Sequence, residues 1–140
     1  MRILTLFSAL LILGLTPPAT AQEDQPIFRD YADMRGQLDT LMMTRRIHDV
    51  MIAFGGADEM TSEELTQLEY RVRSVFPQDF ENVDILKADD MGNGWKRELY
   101  VYWTGISYIF ASVLMHRQEA GLVSINFEFN SDFGQLIDDF

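Results

Sequence analysis

The sequence predicts an α+β fold: two N-terminal helices packed on a curved, four-stranded antiparallel meander sheet, with a short C-terminal helix. Three observations carry this. Apolar residues recur at three- and four-residue steps as far as Phe76, the spacing of one helix face. Beyond Pro77 apolar and polar residues alternate, the spacing of a half-buried strand. Turn signals at Gly92-Asn93-Gly94, Thr104-Gly105 and Glu119-Ala120-Gly121 then divide the alternating part into four segments.

The chain opens on a segment that reads as an address. Met1-Arg2 is a short basic start, residues 3–15 are an almost unbroken apolar run, and Ala19-Thr20-Ala21 places small residues where a signal peptidase needs them. A spanning helix needs about 20 apolar residues, and Pro17-Pro18 ends this run early. Residues 1–21 are therefore expected to be a cleaved signal peptide, and residues 22–140, starting near Gln22, a single domain with no stable membrane insertion after cleavage. Residues 106–115 are the longest later apolar stretch, and their β-branched and aromatic content marks a buried strand.

Without any cysteine the exported chain cannot be held by an acylated cysteine or by disulfides, and must be stabilised by apolar burial. The absence of Asn-x-Ser/Thr acceptors points the same way, to a bacterial periplasm rather than a eukaryotic secretory route. The net charge of −11 disfavours counterion-release binding to nucleic acid and is read as surface solubility.

A first long helix is expected over residues 27–54, with Pro26 at its start. Its apolar face runs through Tyr31, Met34, Leu38, Leu41, His48 and Ile52, widened by Met42, Val50 and Met51, and Gly55-Gly56 supplies the stop. A second helix starts at a capping box of Thr61 and Glu64, buries Leu65, Leu68, Val72, Val75 and Phe76, and closes at Pro77. The strands are expected at about 83–88, 95–103, 106–116 and 122–129. The second sets Leu99, Val101 and Trp103 against Lys96, Glu98, Tyr100 and Tyr102. The third is apolar on both faces, with Tyr108, Phe110 and Leu114 on one and Ile109, Val113 and Met115 on the other, as in a central strand. The fourth turns Val123, Ile125, Phe127 and Phe129 inward and Ser124, Asn126 and Glu128 outward. Asn130-Ser131-Asp132 then caps the closing helix.

This element order, together with the stretch Gly121-Leu122-Val123-Ser124-Ile125-Asn126-Phe127-Glu128-Phe129-Asn130, resembles the nuclear transport factor 2-like and cystatin-like group of α+β folds, and in particular the last strand of its small exported members. The resemblance implies a sheet curled around a long helix. The group hosts isomerases, dehydratases, carriers and non-catalytic assembly subunits, so it implies no single activity. Its steroid-isomerase members resemble one another in a pocket aspartate opposed by a tyrosine, and no such pair aligns here: Glu98 and Glu128 fall on outward faces and Asp84 at a strand start.

No other constellation supports an enzyme. His48 and His116 are the only histidines, too few for a histidine-built metal site; His48 reads as a core residue and His116 as a surface one. Asp89-Asp90-Met91-Gly92-Asn93-Gly94 fails as a calcium loop, because Met91 stands where an oxygen ligand is required and Tyr100 where a glutamate is. Gly-x-Ser-x-Gly elbows and phosphate loops are also missing. No metal or cofactor is expected.

The aromatics remain. Tyr100, Tyr102, Tyr108 and Phe110 are expected to share a sheet face, opposite the one with Leu99, Val101 and Trp103, that is either packed in the protein's own core, or an interface to a second copy or to an envelope protein, or the wall of a small-molecule pocket. The function expected is a non-enzymatic, exported binding domain acting through that face. The alternative is a small-molecule carrier or an enzyme using a cone between sheet and first helix, with Tyr31, His48 and Trp103 lining the pocket.

Overall fold

The computed structural model of the chain describes residues 26–138 and 140, so the leader expected over residues 1–21 and the start near Gln22 lie outside the described residues. A two-residue strand β1 (Ile27–Phe28) is followed by helices α1 (Tyr31–Met43), α2 (Ile47–Ala53) and α3 (Ser62–Val75), with a single 3-10 turn at Gly56–Asp58 between the last two. Strands β2 (Asn82–Gly92), β3 (Trp95–Thr104), β4 (Ser107–Gln118) and β5 (Gly121–Asn130) and helix α4 (Phe133–Ile137) complete it. The α+β class and the antiparallel meander stand as expected. The sheet, however, has five strands in the order β1-β5-β4-β3-β2, and three helices precede the meander.

The long first helix is replaced by three pieces. Asp30 caps α1 by accepting from the Asp33 N–H at 2.8 Å, which leaves residues 27–28 free to pair with β5. At the other end Arg46 N–H reaches Leu41 O (2.8 Å) and Arg45 N–H reaches Met42 O (3.0 Å), the paired bonds of a Schellman stop. Arg45 occupies the left-handed position at φ 55°, where glycine is usual. Its side chain compensates by binding Asp79 Oδ1 (3.0 Å from Nε) and Phe76 O (2.9 Å), contacts from the far end of α3. Gly55 does adopt the left-handed conformation expected of it after α2.

The capping box opens α3 as expected, with Thr61 N–H on Glu64 Oε2 (2.7 Å) and Glu64 N–H on Thr61 Oγ1 (3.2 Å). Val75, assigned to its buried face, is 67% exposed because the helix ends there ahead of Pro77.

Asn93 and Gly94, both at positive φ, make the tight β2–β3 turn. The β3–β4 turn is Gly105-Ile106, one residue later than expected, closed by the pair Thr104 and Ser107. That register opposes Tyr100 to Ala111 and Tyr102 to Ile109 on one face, and Val101 to Phe110 and Trp103 to Tyr108 on the other. The helices pack on the first of these faces. Met34, Leu38 and Met42 of α1 and Ile47 and Val50 of α2 join Tyr100, Tyr102, Ile109, Ala111, Val113 and Met115 in one core.

β4 is central as expected, but β5 departs from simple alternation. The register with β4 slips between Leu114 and Met115, leaving Ile125 as an extra residue opposite no partner. Phe127 and Phe129 therefore point into the core, Ser124 (4% exposed) and Leu122 replace Val123 on the same side, and Ile125 is 45% exposed. β1 is the cause at the near end: Ser124 N–H donates to Pro26 O at 2.8 Å, and Gly121 lets the Phe28 carbonyl approach within 2.3 Å of where a Cβ would sit.

On the outer face α4, capped by Asp132 on the Gly134 N–H, sets Phe133 edge-on against Phe110. The terminal Phe140 ring lies under Arg97 and Lys87. Among the described residues no helix is long and apolar enough to cross a membrane.

Candidate functional site

α1 presents Tyr31, Arg35 and Asp39 at four-residue steps, hence one above another on a single side. β3 presents Lys96, Glu98, Tyr100 and Tyr102 at two-residue steps on the helix-facing side. The two rows meet. The Glu98 carboxylate accepts from the Tyr31 hydroxyl (2.8 and 3.0 Å to its two oxygens), from the Tyr100 hydroxyl and from Lys96 Nζ at 2.7 Å. Arg35 forks onto Asp39 (2.9 and 3.2 Å), its guanidinium lies 4.7 Å above the Tyr100 ring, and Tyr102 closes the array by donating to Asp39 Oδ1 at 2.8 Å. Arg35 Nε is buried without a hydrogen-bond partner.

Glu98 is only 1% exposed. Burial works against its charge, yet the hydrogen bonds from Lys96, Tyr100 and Tyr31 outweigh it and hold the carboxyl below the usual glutamate range. Tyr100 and Tyr102 are pushed up, first by burial and then by the neighbouring carboxylates. Lys96 is raised by its hydrogen bond to Glu98. A general base needs a free lone pair and a pKa near the working pH. Glu98 has its oxygens committed to three donors and its carboxyl held low, and the array orders α1 against β3.

This corrects the outward placement of Glu98, which shares its face with Lys96, Tyr100 and Tyr102. All four belong to the interior face, and Arg35 and Asp39 were not singled out at all. The usable signal was the coincidence of a four-step polar row on α1 with a two-step polar row on β3.

The three expected pocket residues do not converge. Tyr31 is in the array. His48 lies on α2, with Nε2 3.3 Å from Ser62 Oγ and its backbone N–H on Glu69 Oε2. Trp103 lies on the outer sheet face, stacked on Tyr108 with centroids 6.2 Å apart. The cone between sheet and first helix is filled by Met34, Leu38, Met42, Tyr100 and Tyr102, each fully buried. His116 stacks on Trp95 at 4.1 Å and its Nε2 lies 3.2 Å from Asn93 O, beside the β2–β3 turn.

The expected aromatic quartet is split by the register. Tyr100 and Tyr102 are interior, while Tyr108 and Phe110 stand on the outer face with Trp95, Leu99, Val101 and Trp103. A two-residue turn pairs even with odd positions, so aromatics of equal parity on β3 and β4 take opposite faces. At the hairpin tip Ile106 is 95% exposed and helps to line a crevice of about 230 Å³ with Pro77 and the helix-side core residues Phe76 and Phe80; on the outer face Tyr108, two residues on, is 44% exposed.

A second opening follows the free edge of β5. A crevice of about 430 Å³ lies between residues 124–127 and the corner after α2, lined also by Asp58 and Glu59. Another of about 330 Å³ extends it past Phe129 and Asn130 to Gln135 and Leu136 of α4. Compared with protein-family models, with curated proteins and with solved structures, the chain matches none of them.

Proposed function

We propose that this is an exported, non-enzymatic binding domain of the nuclear transport factor 2-like and cystatin-like kind, acting in the bacterial periplasm through the outer face of its sheet. The observation that carries the reading is Ile106, almost wholly exposed at the tip of a hairpin whose next outer pair is the stacked Trp103 and Tyr108. A large apolar side chain at a tip, continuous with half-exposed aromatics, has the composition of an interface centre. The filled cone supports this over a small-molecule carrier or an enzyme using that cone, since Met34, Leu38, Met42, Tyr100 and Tyr102 occupy the space its ligand would need. Of the four aromatics expected at the interface, Tyr108 and Phe110 remain in it; Tyr100 and Tyr102 support it from the core side.

The partner is a second copy or an envelope protein. Light scattering with size exclusion on the chain from Gln22, over a wide concentration range, separates the two. Concentration-dependent dimers that Ile106→Asp or Tyr108→Ser abolishes support self-association. A monomer that retains an envelope protein, and loses it on either substitution, supports the heterologous partner. A monomer whose co-purifying proteins are unchanged by both substitutions overturns the reading.

A further inference from the structure

We infer that the outer edge of β5 over residues 125–130 is an acceptor for an added strand, and that its partner is an extended segment of basic and apolar residues. Among the described residues β5 is covered on that side only by β1, whose described pairing reaches the bond from Ser124 N–H to Pro26 O. Beyond it comes the bulged Ile125, and residues 126–130 pair with β4 on one side and with no other described strand, leaving about 20 Å of edge over residues 125–130 on the outward side.

The edge is grooved. Met51 and the corner at residues 54–59 rise on the helix side, and Gln135 and Leu136 of α4 rise on the outer side, so that the strand edge forms the floor. The two crevices share Met51 and Phe127 and lie end to end, as side-chain pockets do along a strand-accepting edge. The opposite edge of the sheet is built differently. β2 carries two register slips, near Leu86 and Met91, and the charged residues Asp84, Lys87, Asp89 and Asp90, the devices that keep strand edges from pairing, whereas the one slip of β5 sits at Ile125 and leaves residues 126–130 regular.

Charge selects the partner. The groove is lined by Asp58, Glu59 and Glu128, with Asn126, Asn130 and Gln135, and by no lysine or arginine among the described residues. The chain's own Glu23-Asp24, just upstream of Pro26, have the same sign as the groove and are a poor match for it. A strand with basic side chains on one face and apolar ones on the other satisfies the edge, the acids and the apolar walls of Phe127, Met51 and Leu136 together.

The test uses an alternating lysine–valine octapeptide with blocked ends, titrated into the isotopically labelled chain. The peptide is expected to shift the amide signals of residues 124–130 and to slow their hydrogen exchange about ten-fold. A glutamate–valine octapeptide, or the double variant Asp58→Lys, Glu59→Lys with the lysine peptide, is expected to bind about ten-fold more weakly. Methylating alternate backbone nitrogens of the lysine peptide is expected to abolish binding. Equal binding of the methylated peptide reduces the effect to bulk electrostatics and overturns the proposal. So do shifts confined to Trp103 and Tyr108, an absence of shifts, or edge amides already protected without peptide, which would place the upstream segment or a second copy there.

Discussion

Glu98→Gln removes the charge at the centre of the α1–β3 array with almost no change of volume. Hydrogen bonds to a charged group contribute about 1.5–3 kcal/mol and neutral ones about 1 kcal/mol. Of the two phenols that donate to Glu98, one keeps an acceptor and loses about 1 kcal/mol. The other faces the new amide NH2 and is left unsatisfied in the interior, at about 2 kcal/mol. Lys96 is 37% exposed and turns to water, so little is added for it. The expected loss is about 3 kcal/mol at pH 7, read in urea melts, or about 12 °C in Tm for a domain of this size. The pH dependence fixes the mechanism. Because Glu98 is depressed in the folded chain, its contribution is complete above the unfolded value, about 4.3, and is lost as the pH falls through the folded value. The gap between wild type and variant should therefore be constant from pH 5 to 7 and narrow below about pH 4. A loss under about 1 kcal/mol, or a gap that does not narrow in acid, refutes the array as a source of stability.

Phe127→Ala, which removes a ring from the core beside Phe54, is expected to cost about 3 kcal/mol, whereas Ile125→Ala costs under about 1 kcal/mol; equal losses in urea melts would contradict the bulge. Gly121→Ala places a methyl against the Phe28 carbonyl at a φ of 141° and is expected to release β1, seen as faster hydrogen exchange at the Ser124 amide. Arg45→Ala loses the contacts to Asp79 and Phe76 and is expected to cost about 2 kcal/mol, with Arg45→Gly costing about 1 kcal/mol less because glycine accepts the left-handed backbone; the reverse order in thermal melts would be evidence against the helix stop described here.

What was legible in the chain was local. Thr61 with Glu64, Pro77, Gly55, Asn93-Gly94 and Asp132 each act within a few residues of themselves, and each marks a boundary that the structure keeps. What was not legible depends on residues far away. Nothing in Thr44-Arg45-Arg46 announces a helix end, because the arginine that permits it is satisfied by Asp79. The facing of Ile125 depends on β1, nearly a hundred residues upstream. The burial of Glu98 likewise depends on a distant residue, because the Tyr31 hydroxyl that helps to satisfy its carboxylate comes from α1, 67 residues upstream.

The two residues of β1 also govern the order in which the chain becomes a closed object. Every pairing in the meander joins neighbours in sequence, so β2 to β5 can zip up by short loops. The pairing of Phe28 with Leu122 instead joins the first described strand to the last, and the bond from Ser124 Oγ to Phe54 O joins the end of α2 to that last strand. While the chain leaves a ribosome, N-terminus first, α1 and α2 emerge early with an apolar side that has nothing to rest on. α3, β3 and β4 cover most of it as they follow, and Phe28 and Phe54 wait for β5. For this protein the part of the core left open longest is thus the corner formed by β1 and the end of α2, and the pairing of β5 closes it.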